Sequence, residues 1–153
     1  MSDKDIIIFD LDGTLADCSH RVHHILKKPK VWTTFFAACG DDRPIEHMIK
    51  LFRILSPYHG MFCDYEVWIV SGRSDECRYE TEQWLASHVG PYDRLIMRKA
   101  GDYTDDSILK PSWLEDGTIP KERVLVVFDD RNRVVQAWRA AGVPCMHVAD
   151  GDF

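Results

Sequence analysis

Carboxylate and hydroxyl side chains follow three apolar segments of this chain at the points where the segments end. Asp10 and Asp12 follow the first segment, Ser71 follows the second, and Asp129 and Asp130 follow the third. One carboxylate of the first pair could attack phosphorus to form an aspartyl-phosphate, while the other protonates the leaving oxygen and later activates water. Clustered carboxylates repel one another unless a cation joins them, so the pattern predicts phosphoryl chemistry with a bound metal.

Magnesium is the metal that these residue types favour, because it prefers oxygen ligands and keeps several of its waters. The predicted ligands are the carboxylate of Asp10, the backbone carbonyl of Asp12, and Asp129 or Asp130. Which of the last two contacts the metal, and which only orients the site, stays open at this stage.

Ser71, Gly72 and Arg73 follow the second apolar segment at a predicted strand-to-helix turn. A hydroxyl and free backbone N–H groups at such a turn could cradle a phosphate oxygen, and ordinary helix capping is the alternative. Arg73 could bind substrate at the mouth of the pocket or form a structural ion pair.

Lys110 stands one helical turn after Asp106. A lysine at this position could neutralise both the nucleophile and the phosphoryl group in transfer. The alternative is a surface ion pair with Asp106, worth only about 0.3–0.5 kcal/mol.

The elements that position these side chains are predicted from the apolar pattern. The apolar segments lack alternation, which is typical of strands buried on both faces of a parallel sheet. Strands are predicted at 6–9, 67–70, 94–97, 124–128 and 144–148, and helices at 44–55, 75–88 and 131–141. Pro44 suits a first helical turn and Gly142 a helix end. We therefore predict an α/β fold, a three-layer Rossmann-like sandwich with a central parallel sheet of about five strands.

Residues 16–43 interrupt this alternation and are predicted to form a small helical flap within a single domain, 1–153. His20, His23 and His24 lie here without a further evident ligand, so we expect surface, capping or substrate-contacting roles and not a metal site. Three aromatic residues of the segment are expected to pack the flap, with a base-stacking platform as the alternative. These are Trp32, Phe35 and Phe36.

Composition narrows the class of protein. The chain has 153 residues, 45% hydrophobic residues and a net charge of −6, which is typical of a soluble globular domain without a basic field for nucleic acid. A nucleic-acid substrate would have to be held locally, at an end. The five cysteines form no Cys-x-x-Cys pair, and no signal-like or membrane-spanning segment is evident, so we expect a cytoplasmic protein without membrane contact. The cysteines are Cys18, Cys39, Cys63, Cys77 and Cys145.

The four motifs resemble those of the haloacid dehalogenase superfamily of phosphotransferases. The segment 10–15 is similar to its first motif, with nucleophile and acid/base two residues apart. Ser71 is similar to the second motif, Lys110 to the third, and the pair Asp129 and Asp130 to the fourth. The resemblance implies a magnesium-dependent phosphomonoesterase that acts through an aspartyl-phosphate.

A closer resemblance, after residue 66, is to the 3′-phosphatase domain of bacteriophage polynucleotide kinase. The stretches that carry it are 69–73, 81–85, 97–102, 128–135 and 148–153. It implies removal of 3′-terminal phosphates from nucleic acids or nucleotides, and packing of the terminal Gly-Asp-Phe against the core. The chain departs from the family pattern at Tyr103, Thr104 and His147 and matches poorly over 16–43. It contains no kinase-type Gly-x-x-x-x-Gly-Lys loop.

The substrate is therefore expected to be a phosphorylated nucleotide or nucleic-acid end. The intervals between motifs are too short for a large cap, and an open site suits a polymer end. A set of basic residues that includes Arg98, a predicted substrate-binding residue, could form a local patch or be solvated. The set is Arg94, Arg98, Lys99, Arg131 and Arg133.

The alternative functions are a general phosphatase of small molecules or nucleotides, and a phosphate-binding module without catalysis. No obligate protein partner is indicated.

Overall fold

The computed structural model describes residues 3–56 and 64–152, so Cys63 and Phe153 lie outside the described residues. Within these ranges the strands are β1 (Asp5–Phe9), β2 (Ala16–Asp17), β3 (Arg43–Pro44), β4 (Tyr65–Ser74), β5 (Arg94–Arg98), β6 (Val124–Arg131) and β7 (Cys145–Gly151). The α-helices are α1 (His23–Leu26), α2 (Trp32–Ala37), α3 (Glu46–Leu55), α4 (Arg78–His88), α5 (Asp106–Glu115) and α6 (Asn132–Ala140). Short 3₁₀ turns span 19–21, 38–41, 75–77 and 121–123.

A parallel sheet with the strand order β5-β4-β1-β6-β7 forms the middle layer. The central strand β1 is buried on both faces, because Ile6 and Ile8 pack into one apolar cluster while Ile7 and Phe9 pack into another. The predicted three-layer Rossmann-like sandwich and its five parallel strands are confirmed.

Helices cover both faces of this sheet. On one face, α3 and α4 supply Phe52, Trp84 and Leu85 to the cluster around Phe9. On the other, α5 and α6 supply Trp113 and Trp138 to the cluster around Ile8. The aliphatic and aromatic faces of these helices explain their position, since each buries its apolar stripe against the sheet.

The order in which strands are added to the sheet reverses at β1. The chain first adds β4 and β5 beyond one edge of β1, and then adds β6 and β7 beyond the other edge. In open parallel sheets, ligands bind at the carboxyl ends of the strands on either side of such a reversal. The site residues predicted from the sequence lie at this edge.

The segment between β1 and α3 folds back on the core through a two-stranded antiparallel ladder, in which Ala16 pairs with Pro44 and Asp17 with Arg43. The expectation that Pro44 opens a helix is wrong, because Pro44 belongs to β3 and the helix begins at Glu46. The backbone N–H of Ile45 donates to the carbonyl of Leu15, which keeps this part of the chain extended. The residues between the two short strands form the flap, defined here as residues 18–42.

Within residues 3–56 and 64–152, no helix has the length and the apolar character of a membrane-spanning helix.

Candidate active site

Three carboxylates converge at the carboxyl edge of the sheet. Asp10 follows β1, whereas Asp129 and Asp130 are among the last three residues of β6, the strand beside it. Each of the three residues offers one carboxylate oxygen, and these three oxygens lie within 4.8 Å of one another. All three residues are buried. Parallel pairing of β1 with β6 produces this convergence, because it brings the ends of the two strands to the same edge.

Lys110 neutralises part of this charge. Its Nζ donates to Asp10 Oδ1 at 2.9 Å and to Asp129 Oδ2 at 2.8 Å, and its side chain is only 2% exposed. Burial opposes the charged ammonium, but Asp10 and Asp129 outweigh this effect and raise the pKa of Lys110 above its usual value. Asp106, the other possible partner of Lys110, pairs with Arg98 and Arg131 instead. Lys110 is therefore part of the buried cluster and not of a surface ion pair.

The cluster still carries more negative than positive charge. Burial raises the pKa of Asp10 well above its usual value, and Asp129 raises it further, while Lys110 opposes both effects. Burial also raises the pKa of Asp130, with Asp129 adding to the effect. A second cation beside these groups would favour their ionised forms against both burial and mutual repulsion.

The hydrogen bonds of Asp129 and Asp130 differ. Asp129 accepts from Lys110 and from Trp138 Nε1 through Oδ2, and from the backbone N–H of Arg131 through Oδ1 at 3.3 Å. For Asp130, the side-chain contact with Thr14 Oγ1 is long, at 3.5 Å. Asp129 is thus the carboxylate that fixes Lys110, whereas the side chain of Asp130 contacts Thr14 and Asp10.

Asp12 lies in a second charge cluster, two residues after Asp10. Arg21 Nη2 donates to Asp12 Oδ1 at 2.6 Å, and Arg73 donates to the same oxygen through Nε at 2.9 Å and Nη2 at 2.7 Å. Both guanidinium groups also donate to Asp42, whose side chain is fully buried. Asp42 is held in turn by the indole of Trp84, which donates to its backbone carbonyl.

This second cluster separates the acid–base properties of the two aspartates. Burial opposes ionisation of Asp12, but the charges of Arg73 and Arg21 outweigh burial and lower the pKa of its carboxyl below the usual value. The pKa values of Asp10 and Asp12 therefore shift in opposite directions. Paired titratable groups with opposite shifts are typical of acid–base catalysis.

The flap supplies residues that the sequence did not single out. Arg21 and Asp42 both come from it, and His20 Nε2 lies 2.7 Å from Asp42 Oδ1. An isolated arginine and an aspartate at opposite ends of a segment give no local signal that they pair. Their partnership depends on the short β2–β3 ladder, which brings the two ends of the flap together.

The predicted phosphate-binding and substrate-binding residues lie around the same edge. Ser71 is buried, and its Oγ accepts from the backbone N–H of Arg73. Arg73 is only 1% exposed and lines the cavity, so it lies deep in the pocket and not at its mouth. Arg98 is also buried and donates to the carbonyl of Gly72 and to Asp106. Their roles toward a substrate stay predictions.

A cavity of about 600 Å³ connects these groups to solvent. Asp10, Asp12, Lys110 and Asp130 lie along it, and residues of the flap form one of its sides. The carboxylate cluster and Asp12 are thus accessible to the same bound molecule, as two-step phosphoryl transfer requires.

The model of the family described as polynucleotide kinase PNKP phosphatase domain matches residues 4–153. The chain belongs to this family. The fold, the carboxylate cluster and the order of the motifs agree with this membership, and with the haloacid dehalogenase type of phosphatase that the sequence resembles.

Two relatives support the assignment. A candidate bifunctional polynucleotide kinase/RNA ligase of Autographa californica nuclear polyhedrosis virus is 28% identical over 149 residues, which cover 96% of this chain and 20% of that protein. A chain in the structure of the Pnkp1/Rnl/Hen1 RNA repair complex is 30% identical, with a TM-score of 0.77, over 98% of this chain and 44% of that one. The chain thus spans less than half of the length of either relative.

A more distant structure shares the fold alone. The haloacid dehalogenase-like hydrolase SP0104 of Streptococcus pneumoniae has a TM-score of 0.60 and 15% identity, over 96% of this chain and 85% of that one. The superfamily fold therefore extends over nearly the whole phosphatase domain.

Substitution of Gly72 tests the packing at the phosphate-binding turn. A Cβ at position 72 would lie 2.5 Å from Asp106 Oδ1, so Gly72→Ala must displace the carboxylate that pairs with Arg98. We expect a loss of about 1–3 kcal/mol in the free energy of unfolding, measured in urea. Gly40→Ala is the matched control, because a Cβ there meets no atom within 4 Å. Equal stability of the two variants would contradict the close packing of Asp106 on this turn.

The stability contribution of Asp12 depends on pH with a defined sign. Its folded pKa lies below the ordinary value of 3.8, so its ion pairs stabilise the fold above that value, and the contribution is lost as pH falls through the lowered pKa. We expect Asp12→Asn to lower the free energy of unfolding by about 1–3 kcal/mol at neutral pH, and by less at acidic pH. Urea titrations at a series of pH values measure this, with Asp41→Asn, at an exposed carboxylate, as the control. A loss that stays constant with pH would contradict the ion-paired state of Asp12.

Proposed function

We propose that this chain is a Mg²⁺-dependent 3′-phosphatase of nucleic-acid or nucleotide ends, acting through an aspartyl-phosphate on Asp10. The observation that carries the proposal is the geometry around Asp10. Its carboxylate is held by Lys110 within an acidic cluster, while Asp12, two residues on, is held apart by two arginines.

The donor set fits magnesium. Asp10 and Asp130 offer buried carboxylate oxygens close to each other, and Asp129 is fixed beside them by Lys110. Hard oxygen ligands in this number are the usual partners of Mg²⁺, which would supply positive charge beside the phosphoryl oxygens. The backbone carbonyl of Asp12 stays a predicted third ligand. A haloacid dehalogenase family enzyme of Bacteroides thetaiotaomicron, with the same fold at a TM-score of 0.57, has been crystallised with magnesium and inorganic phosphate.

In the first step, an oxygen of Asp10 forms a bond to phosphorus as the bond from phosphorus to the ester oxygen breaks. The leaving oxygen takes a proton from Asp12, so the free hydroxyl end departs as an alcohol. Lys110 donates to Asp10, and its charge offsets the negative charge that gathers on the phosphoryl group.

In the second step, Asp12 accepts a proton from water as the water oxygen attacks the aspartyl-phosphate. The bond between phosphorus and Asp10 breaks, so inorganic phosphate leaves and the Asp10 carboxylate is regenerated. Asp12 is suited to this step because Arg21 and Arg73 keep it ionised.

Protonation of Asp12 is the demanding requirement of the first step, because a carboxyl with a lowered pKa rarely carries a proton at neutral pH. A bound phosphate brings negative charge beside Asp12 and opposes the effect of the two arginines, which favours the protonated form. The arginines thus set the balance between the acid and the base role of this residue.

The choice of a nucleic-acid end as substrate is supported by the open cavity and by the relatives. The virus protein is named for kinase and ligase activities, and the solved complex is named for RNA repair. By extension, we propose that this domain works on ends that a kinase or a ligase also processes. The cytoplasmic location and the single-domain organisation stay predictions from the sequence.

Hydrolysis of paired oligonucleotides tests the proposed function. We expect release of phosphate from a 3′-phosphorylated oligonucleotide but not from its 5′-phosphorylated twin, and loss of activity when EDTA removes Mg²⁺. Asp10→Asn should lower kcat by more than about a thousandfold, because an amide is a poor nucleophile. Asp116→Asn, at an exposed carboxylate away from the cavity, is the control. Equal hydrolysis at both ends would indicate a general phosphatase. Full activity of Asp10→Asn would rule out an aspartyl-phosphate intermediate on Asp10.

Leaving groups of different acidity test the role of Asp12. We expect Asp12→Asn to slow hydrolysis of a nucleoside 3′-phosphate by about 10²- to 10⁴-fold, because its alkoxide leaving group needs a proton. Formation of the aspartyl-phosphate from p-nitrophenyl phosphate, measured as a burst of p-nitrophenol, should slow much less, since a phenolate leaves without one. An equal effect of the substitution on both substrates would contradict the assignment of Asp12 as the acid.

A further inference from the structure

The flap carries a local excess of positive charge in an acidic chain. Between Asp17 and Asp41 the sequence contains no acidic residue, but it holds Arg21 and three lysines. The lysines, Lys27, Lys28 and Lys30, are exposed, and Lys30 lines the cavity. Exposed lysines attract a phosphodiester backbone through their charge alone, independently of base sequence.

Apolar side chains are also exposed along the cavity, where a soluble domain has no packing reason to place them. Leu26 on the flap is 71% exposed, and Tyr103, in the loop between β5 and α5, is 77% exposed; both line the cavity. Ile54 and Tyr79 are comparably exposed but do not line it.

Trp32, which lies on the flap, is also part of this surface. Phe35 and Phe36 are buried, as the packing interpretation predicts, but Trp32 stays partly exposed and lines the cavity. Its ring packs against Phe36 with centroids 5.8 Å apart and an interplanar angle of 24°, and Lys30 Nζ lies 5.6 Å from the ring centroid. The indole therefore packs against a neighbouring aromatic ring and lies beside a cation.

We propose that Leu26, Trp32 and Tyr103 form a binding site for the terminal base of a 3′-phosphorylated strand, and that Lys27, Lys28 and Lys30 contact the phosphates that precede it. The inference rests on the proposed function, because the terminal 3′-phosphate is what lies at Asp10. It adds which residues recognise the nucleotide. Aromatic rings accept any base, since every base has a π-face, so the site reads a nucleotide end and not a sequence.

The chemistry of the occupant follows from the depth of the groups along the cavity. Asp10 and Lys110, where the phosphoryl group belongs, are buried, whereas Leu26 and Tyr103 are exposed, as are the lysines on the flap. A nucleotide end presents a phosphate, a flat base and further phosphates in one chain. A sugar phosphate lacks both the flat base and the preceding phosphates, so it would use less of this surface.

The decisive comparison uses two substrates that differ only in the terminal base. One is a 3′-phosphorylated oligonucleotide, and the other is the same strand with an abasic 3′-terminal residue. We expect Tyr103→Ala and Trp32→Ala to lower kcat/KM on the complete strand by about tenfold, the order of one base–aromatic stack, with little effect on the abasic strand. Tyr79→Ala should leave both unchanged, and Trp32→Phe should restore most of the loss.

The lysines have a separate readout. Replacing Lys27, Lys28 and Lys30 together by alanine should weaken binding of the oligonucleotide and flatten the dependence of log Kd on log salt by about 0.7 for each phosphate that a lysine no longer neutralises. Kd for a mononucleoside 3′-phosphate should change little, because it has no preceding phosphates. Lys50→Ala, at an exposed lysine outside the cavity, is the control.

Binding measured without hydrolysis separates this inference from the proposed function. Fluorescence anisotropy with Asp10→Asn protein reports affinity for the two strands even if no turnover occurs. Weaker binding of the complete strand on Tyr103→Ala or Trp32→Ala, with the abasic strand unaffected, supports the base site; if the wild type also hydrolyses nothing, the proposed function alone fails. Equal changes on both strands, or none on either, would overturn the base site.

Discussion

The ion pair that joins Lys110 to Asp10 and Asp129 is the interaction on which the site depends. Three carboxylates lie within a few ångströms of one another in the interior, and repulsion would drive them apart without positive charge. Lys110 comes from α5, on the opposite face of the sheet from α4, and its ammonium reaches the carboxyl edge between β1 and β6. Removing one partner of a buried ion pair leaves an uncompensated charge, which typically costs about 3–5 kcal/mol. Stability and reactivity are therefore coupled at Asp10.

The second cluster gives Asp12 an environment opposite to that of Asp10. A turn at Gly13, with a φ of +85°, directs the chain away from β1 immediately after Asp12. A Cβ at Gly13 would collide with the carboxylate of Asp130, so glycine also allows β6 to approach. Two aspartates separated by one residue thus belong to different charge networks, one dominated by carboxylates and the other by arginines.

The flap connects charge, substrate access and fold. Its buried end supplies Arg21 and Asp42 to the cluster around Asp12, and its exposed end supplies the lysines and apolar side chains along the cavity. Buried arginines are costly unless fully paired, and here both are paired with two carboxylates. A net acidic domain can in this way present a basic surface where a polyanion would enter.

The sequence alone determined the architecture and the edge of the sheet at which the candidate site lies. Uninterrupted apolar runs of β-branched residues require a sheet buried on both faces, and the polar residues that end β1, β4 and β6 must then meet at one edge. Residues such as Asp10 and Lys110 could be selected because each stands at a fixed offset from a strand or within a helix. These signals are local, so they can be identified from the sequence without the structure.

The tertiary structure decided which residues contact one another. The sequence leaves open whether Arg73 binds substrate or forms a structural ion pair; the fold pairs it with Asp12 and Asp42 while it still lines the cavity. Pro44 has the properties of a helix start, yet pairing with Ala16 places it in a strand. The different hydrogen bonds of Asp129 and Asp130, and the meeting of Trp32 and Tyr103 at one cavity, likewise depend on contacts between distant segments. Such contacts arise from packing and charge pairing across the fold, for which a single sequence carries no periodic signal.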